Sequence, residues 1–272
     1  MATVPAKAAA RLTIGLKKFQ PILEDAHKRD VNEADTVTIV TDLLCELFGY
    51  DKYSELTSEH AVRSSFCDIA IKLEGTLALL LEVKAIGMEL KDAHVKQAVD
   101  YAANEGCEWA AVTNGILWRT YRLTFAKPIQ ADLVLELDLL QLNPRKTEDI
   151  ESLALLSREA WQKSQLDEYA VQRQALSRFT IAATLLSDPC LGILRRELRR
   201  ISPDITIAAE DIARVLSHEV IKREVLEGER AEAARKLVTK SARRALRTTD
   251  KDEEEAPPAA PGGSATPPIE AK

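Results

Sequence analysis

The segment Leu77–Lys84, LALLLEVK, constrains this chain more than any other. Apolar residues occupy both alternating sides from Leu77 to Leu81, so an extended segment here needs cover on both faces and reads as an interior strand of a sheet. Two charges then interrupt the apolar run. Glu82 and Lys84 stand two residues apart, a spacing that puts both side chains on one face of a strand. An ionised group in a protein interior costs several kcal/mol unless it is paired or holds a metal. A Glu and a Lys at these positions therefore form either a structural pair or part of a site.

The flanking pattern builds a sheet around that strand. Phe66–Leu73 is a second extended run, joined to the first through Glu74-Gly75 as a β-hairpin. Trp109–Thr113 and Leu117–Arg122 flank Asn114-Gly115, a strong signal for another hairpin, and Leu133–Leu139 alternates apolar and acidic residues as a last strand. Helical spacing of apolar residues covers Ala8–His27, with Pro21 as a place to bend, and continues from Asn32 to about Phe48. Asn32 is the expected cap of the second helix and Gly49 its stop. Leu90–Asn104 is a third helix. Beyond Asn143-Pro144 the strand signals end, apart from a short candidate at Ile205–Ile207, and Glu148–Ser164, Leu166–Leu186, Leu191–Ile201 and Glu210–Leu226 read as helices. The chain is thus expected to be α/β, with a central mixed β-sheet flanked by helices over residues 1–143. A mostly helical region follows over 144–247. Residues 248–272, acidic and then rich in Pro, Ala and Gly, form an expected disordered tail.

Composition removes several function classes. No run of about 20 apolar residues is present to span a bilayer, and the N-terminus lacks the pattern of a secretory signal, so the expected location is cytoplasmic. Cys45, Cys67, Cys107 and Cys190 form no C-x-x-C pair, and the four histidines make no metal-binding cluster. A P-loop is also missing, which excludes an ATP-driven motor of that type. The net charge of −6 does not point to nucleic acid, so the distribution of charge decides. Arg195, Arg196, Arg199 and Arg200 fall at helical spacing, and Arg235–Arg247 contains basic but no acidic side chains. Trp109, Trp118 and Tyr121 could stack on bases, although aromatic residues on a hairpin more often fill a core.

Asp68 turns the Glu82-Lys84 pair into a candidate site. It opens the strand paired with LALLLEVK, where its carboxylate can converge on Glu82. Two carboxylates and a backbone carbonyl, that of Val83, suit a hard cation such as Mg²⁺ (or Mn²⁺). Lys84 could then orient or stabilise an attacking hydroxide, and Glu33, at the start of its helix, is a fourth candidate acid.

The order of these elements resembles the PD-(D/E)XK nuclease superfamily. NEADTVTIVTDLLCELFGYD (32–51), CDIAIKLEGTLALLLEVKAIG (67–87), QAVDY (97–101) and VTNGILWRTY (112–121) look like the N-terminal nuclease domain of type I restriction enzyme R subunits. The resemblance implies a restriction-endonuclease-like core in which Asp68 and Glu82 hold the metal, Lys84 is the catalytic lysine and Glu33 the helix-borne acid. Gln97 and Tyr101 resemble the Q-x-x-x-Y element of such enzymes, which implies a role in holding DNA or the lysine. Cys67 stands where the motif's name has Pro. The activity implied is Mg²⁺-dependent hydrolysis of DNA by a stand-alone nuclease without ATP. The alternative is a catalytically silent DNA-binding or assembly module. A homodimer through the helical region is the further partner considered.

Overall fold

The computed structural model describes residues 4–62, 65–125 and 127–254. In chain order the helices are α1 (Ala6–Lys28), α2 (Glu33–Asp42), α3 (Asp92–Glu105), α4 (Thr147–Ala154), α5 (Arg158–Gln162), α6 (Gln165–Ala175), α7 (Arg178–Leu185), α8 (Asp188–Ile201), α9 (Ala209–Val215), α10 (Arg223–Leu226) and α11 (Glu229–Glu254). The strands are β1 (Leu56–Val62), β2 (Ser65–Leu73), β3 (Thr76–Val83), β4 (Trp109–Thr113), β5 (Leu117–Thr124) and β6 (Gln130–Asp138). Compact packing divides the chain into two units that part between Arg173 and Gln174.

The first unit is a six-stranded mixed sheet with strands in chain order, antiparallel throughout except where β3 lies parallel to β4. A parallel neighbour needs a crossover, and α3 supplies it. LALLLEV is interior, as its apolar character on both sides required. Leu79, Leu81 and Val83 face a large core shared with α1, α2 and the later helices α4 and α6, while Leu80 faces a smaller core built on Ala98 and Ala102 of α3. Asn32 caps α2 by accepting from the Asp35 backbone N–H at 2.9 Å, and the last turn, Leu43–Leu47, widens to a π-helix before Gly49 at φ +86°. Pro21 sits inside α1 without ending it. Trp118 and Trp109 are buried, with Trp118 edge-on to Phe48 at 5.3 Å, so they fill the core and are withdrawn from any base.

Strands give way to helices after Asp138, yet the first unit continues to Arg173. Leu153, Leu156 and Leu166 pack in its larger core, and Arg173 donates to the Val134 carbonyl at 2.7 Å. Two expected long helices are each broken by a serine cap. Ser157 accepts from Ala160 N–H, and Ser177 from Thr180 N–H, because a serine hydroxyl satisfies helix-start donors better than a mid-helix position suits it.

The described part of the second unit, 174–254, is helical. The short strand expected at Ile205–Ile207 is absent there: the segment is irregular, with no strand in that unit for it to pair with. The acid-free segment 235–247 belongs to α11, which packs on α7 and buries Ala231 and Ala234. Helix α11 also runs past Thr248 to Glu254, so the expected disordered tail does not begin at Thr248, and its residues 255–272 lie outside the described residues.

Candidate active site

Asp68, Glu82, Lys84 and Glu33 come together where β2 and β3 meet the start of α2. The β2–β3 ladder pairs Ile69 with Leu81, and one step further Asp68 stands opposite Glu82. There the ladder ends. The Asp68 carboxylate takes the place of a backbone acceptor and receives the Val83 N–H at 2.7 Å. Glu82 shares the face of Leu80, on the α3 side, because Leu81 and Val83 point to the other core. Lys84 donates to Glu82 Oε1 at 2.6 Å and lies 3.7 Å from a Glu33 oxygen. The helix start has thus been brought to the strand end.

Three acids around one buried lysine raise the electrostatic stakes. The Glu82 side chain is 2% exposed, and its other oxygen, Oε2, is buried without a hydrogen-bond partner. Burial pushes the Glu82 carboxyl up to about 7; the hydrogen bond from Lys84 opposes this, and the charges of Asp68 and Glu33 add to it. The Asp68 carboxyl is also raised, by burial first, against the Val83 hydrogen bond and the Lys84 charge that hold it down. For Lys84, burial works against the ammonium, but the hydrogen bond and charge of Glu82, with Glu33 and Asp68 behind them, leave its pKa above the ordinary lysine value. Lys84 is therefore a cation at neutral pH. One lysine does not neutralise this set.

The residues fit a hard divalent cation. An unpartnered buried carboxylate oxygen beside a second carboxylate is the acceptor set that such an ion completes. Among the described residues no three His, Cys, Asp or Glu side chains are grouped so as to hold a metal ion, Glu33 included, so an ion at Asp68 and Glu82 would take its further ligands from backbone and water, as Mg²⁺ prefers. Cys67 occupies the motif's Pro position. Its thiol donates to the Leu81 carbonyl at 3.3 Å, and burial, then the Glu82 charge, pushes its pKa up to about 12, so it stays a neutral donor.

Gln97 and Tyr101 lie on α3, the helix covering the face shared by Glu82 and Lys84, and Gln97 Nε2 donates to the Tyr101 hydroxyl at 3.1 Å. Three neighbours of the site were not legible as such in the sequence, Asn114 reading there only as a turn residue. Glu59 lies opposite Asp68 on β1, between the pairs Ser58–Ile69 and His60–Cys67, at φ +49°, and its charge adds to the rise of Asp68. Thr36 is fully buried and accepts the Ile86 N–H at 3.1 Å, tying α2 to the chain just past Lys84. Asn114 reaches the same segment from the β4–β5 link.

Residues 40–130 match the family of the type I restriction enzyme R protein N terminus. The matched stretch is about a third of the chain, and it holds Asp68, Glu82, Lys84, Gln97 and Tyr101, with Glu33 just before it. That match is consistent with a PD-(D/E)XK nuclease reading of the sheet and its acid–lysine cluster. No curated protein and no solved structure matches the chain. No described helix is long and apolar enough to cross a membrane.

Proposed function

We propose that this chain is a metal-dependent nuclease that hydrolyses DNA phosphodiester bonds, with its site at Asp68, Glu82 and Lys84. The observation that carries the reading is the unpartnered, buried Glu82 Oε2 set between Asp68 and a lysine already committed to the other oxygen. Asp68, Glu82 and the Val83 carbonyl would hold Mg²⁺ or Mn²⁺, which when bound supplies positive charge to a phosphate during displacement. Lys84, charged and nearly enclosed, is placed to orient an attacking water and to stabilise negative charge as it develops. Glu33 holds the lysine from the helix side. Gln97 and Tyr101 would contact DNA near the same face. The test is cleavage of plasmid DNA by the purified chain with Mg²⁺, next to Glu82→Ala. Wild-type cutting that needs the metal and vanishes in the variant supports the reading, whereas DNA binding without cleavage would leave a silent nuclease-like module.

The helical unit offers a phosphate contact of its own. On α8, Arg195 and Arg199 are exposed one turn apart, while Arg196 and Arg200 share Glu197. Like charges at this spacing weaken a helix by a few tenths of a kcal/mol, and the helix dipole favours cations only in the last turn, which Arg195 does not reach. An anion outside the chain would offset that cost. Each phosphate neutralised on duplex DNA adds about 0.9 to the slope of log affinity against log salt. Arg195→Gln with Arg199→Gln should flatten that plot by roughly twice this value and leave the unfolding midpoint in place; an unchanged slope removes α8 from the DNA interface.

A further inference from the structure

We infer that Asn114 is a positioning residue for the proposed nuclease site. It latches the strap between the active-site lysine and α3, in addition to shaping the turn in which it lies. Asn followed by Gly is ordinarily explained by the left-handed backbone that a two-residue hairpin turn demands. That explanation does not apply here. Gly115 takes φ +85°, but Asn114 is not among the residues with positive φ. What Asn114 contributes is its side-chain amide, and both ends of that amide are used.

On one end, Oδ1 accepts the N–H groups of Ile116 and Leu117 at 3.1 and 2.8 Å, closing the β4–β5 link. On the other, Nδ2 donates to the carbonyls of Ile86 and Met88 at 3.2 and 3.0 Å. Those carbonyls belong to the irregular strap from Ala85 to Lys91, which leaves β3 directly after Lys84 and leads into α3. Ile86 and Leu90 are buried, so the strap's polar groups need protein partners in place of water. Lys84 N–H bonds to the Thr113 carbonyl at 2.8 Å, Ile86 N–H to Thr36 at 3.1 Å, and Arg119 donates to the Leu90 carbonyl at 2.9 Å. A Cβ on Gly87 would overlap the Asp30 carboxylate, so the strap is also pressed against the α1–α2 junction.

Asn114 is the one of these partners that grips two strap carbonyls at once. It joins the turn beside the central parallel pair to the backbone two and four residues beyond Lys84. Thr36 brings the same strap to the helix that carries Glu33. A loosened strap would leave the Lys84 backbone tethered by its N–H to Thr113 and its ammonium by Glu82 and Glu33, free to shift with them, and a displacement of about 1 Å can cost on the order of 100-fold in rate.

The chemistry of Asn against Asp isolates the latch. Asn114→Asp keeps an oxygen for the Ile116 and Leu117 N–H groups but loses both donors and turns a carboxylate toward two carbonyls. The catalytic consequence rests on the nuclease reading; the latch does not. Amide hydrogen exchange and Mg²⁺-dependent plasmid cleavage are to be measured on the full chain for wild type, Asn114→Asp and Thr36→Val, the last severing the strap from the α2 side. Both variants should speed exchange at Ile86 and Met88 at least 10-fold while Leu117 and Trp118 stay protected. The Asp variant should lower kcat at least 10-fold with little change in KM for DNA. Strap amides that exchange as in wild type would overturn the latch, and faster exchange with unchanged kcat would overturn the positioning role. If neither variant folds, Asn114→Ser, which keeps a turn acceptor without reaching as an amide, is read by the same two criteria. A wild-type chain that never cuts DNA removes the nuclease reading, and the exchange result then decides the strap by itself.

Discussion

Lys84→Ala should abolish DNA cleavage by about 10²–10³-fold or more at every pH while binding of DNA persists, since a fixed cation beside developing charge acts on the transition state. Its effect on stability should depend on pH. In the wild type Lys84 supplies the hydrogen bond that holds Glu82 down, against burial and the neighbouring acids that hold it up near 7. Without the lysine, the folded-state pKa of Glu82 rises further above its unfolded value of about 4.5. A group raised in this way favours the folded state below the unfolded value and loses that contribution as pH rises through the folded value. At about pH 6 the variant can neutralise Glu82 by taking up a proton and should unfold near the wild-type midpoint. At about pH 8.5 it must carry an unpaired buried carboxylate, a condition that typically costs about 3–5 kcal/mol. Lys84→Met should follow the same course. Thermal unfolding without metal at the two pH values, with cleavage measured alongside, separates the roles. If activity returned at pH 6 together with stability, Lys84 would be only a structural counter-charge.

The second large effect is the response to metal. Without a divalent ion, wild-type stability should fall as pH rises from about 4.5 through about 7, because folding favours protonated Glu82 and Asp68 shifts in the same direction. Mg²⁺ binds the ionised carboxylates, so it should raise the unfolding midpoint more at pH 8 than at pH 6, and EDTA should reverse the gain. At 100 times its Kd a ligand specific for the folded state stabilises by about 2.7 kcal/mol, which for a chain of this size corresponds to roughly 5–10 °C. Glu82→Gln should lose most of the pH slope and the Mg²⁺ gain together. A Gln variant stabilised by Mg²⁺ as much as wild type would place the ion elsewhere.

Much of the site was legible in the sequence because strand geometry is local. Period-two alternation alone puts Glu82 and Lys84 on one face, and the Glu74-Gly75 turn makes β2 the hairpin partner of β3, but the register at Glu82 depends on a one-residue shift of the ladder between Ile71 and Lys72. Without that shift the turn would set Cys67 opposite Glu82; with it Asp68 stands there. The helix cap at Asn32, the stop at Gly49 and the interior character of β3 are likewise properties of short stretches, and each holds in the structure.

What tertiary structure decided are the contacts between residues far apart in the chain. Periodicity marks β1 only weakly, so Glu59, opposite Asp68, was not singled out. Glu33 reaches Lys84 only because α2 packs on β3, and Thr36 meets Ile86 across 50 residues. Asn114 read correctly as a link residue, but its reason lay 26 and 28 residues away in the carbonyls of Met88 and Ile86. The first unit's end at Arg173, past the last strand, depends on which core Leu153 and Leu166 enter, and an apolar stripe on a helix does not say what will cover it. The sequence by itself determined the interior strand β3, its hairpin partner β2 and the face from which the charges of β3 project. Only the folded chain decided which buried oxygen was left without a donor, because the cost of burial belongs to an environment assembled from both ends of the first unit.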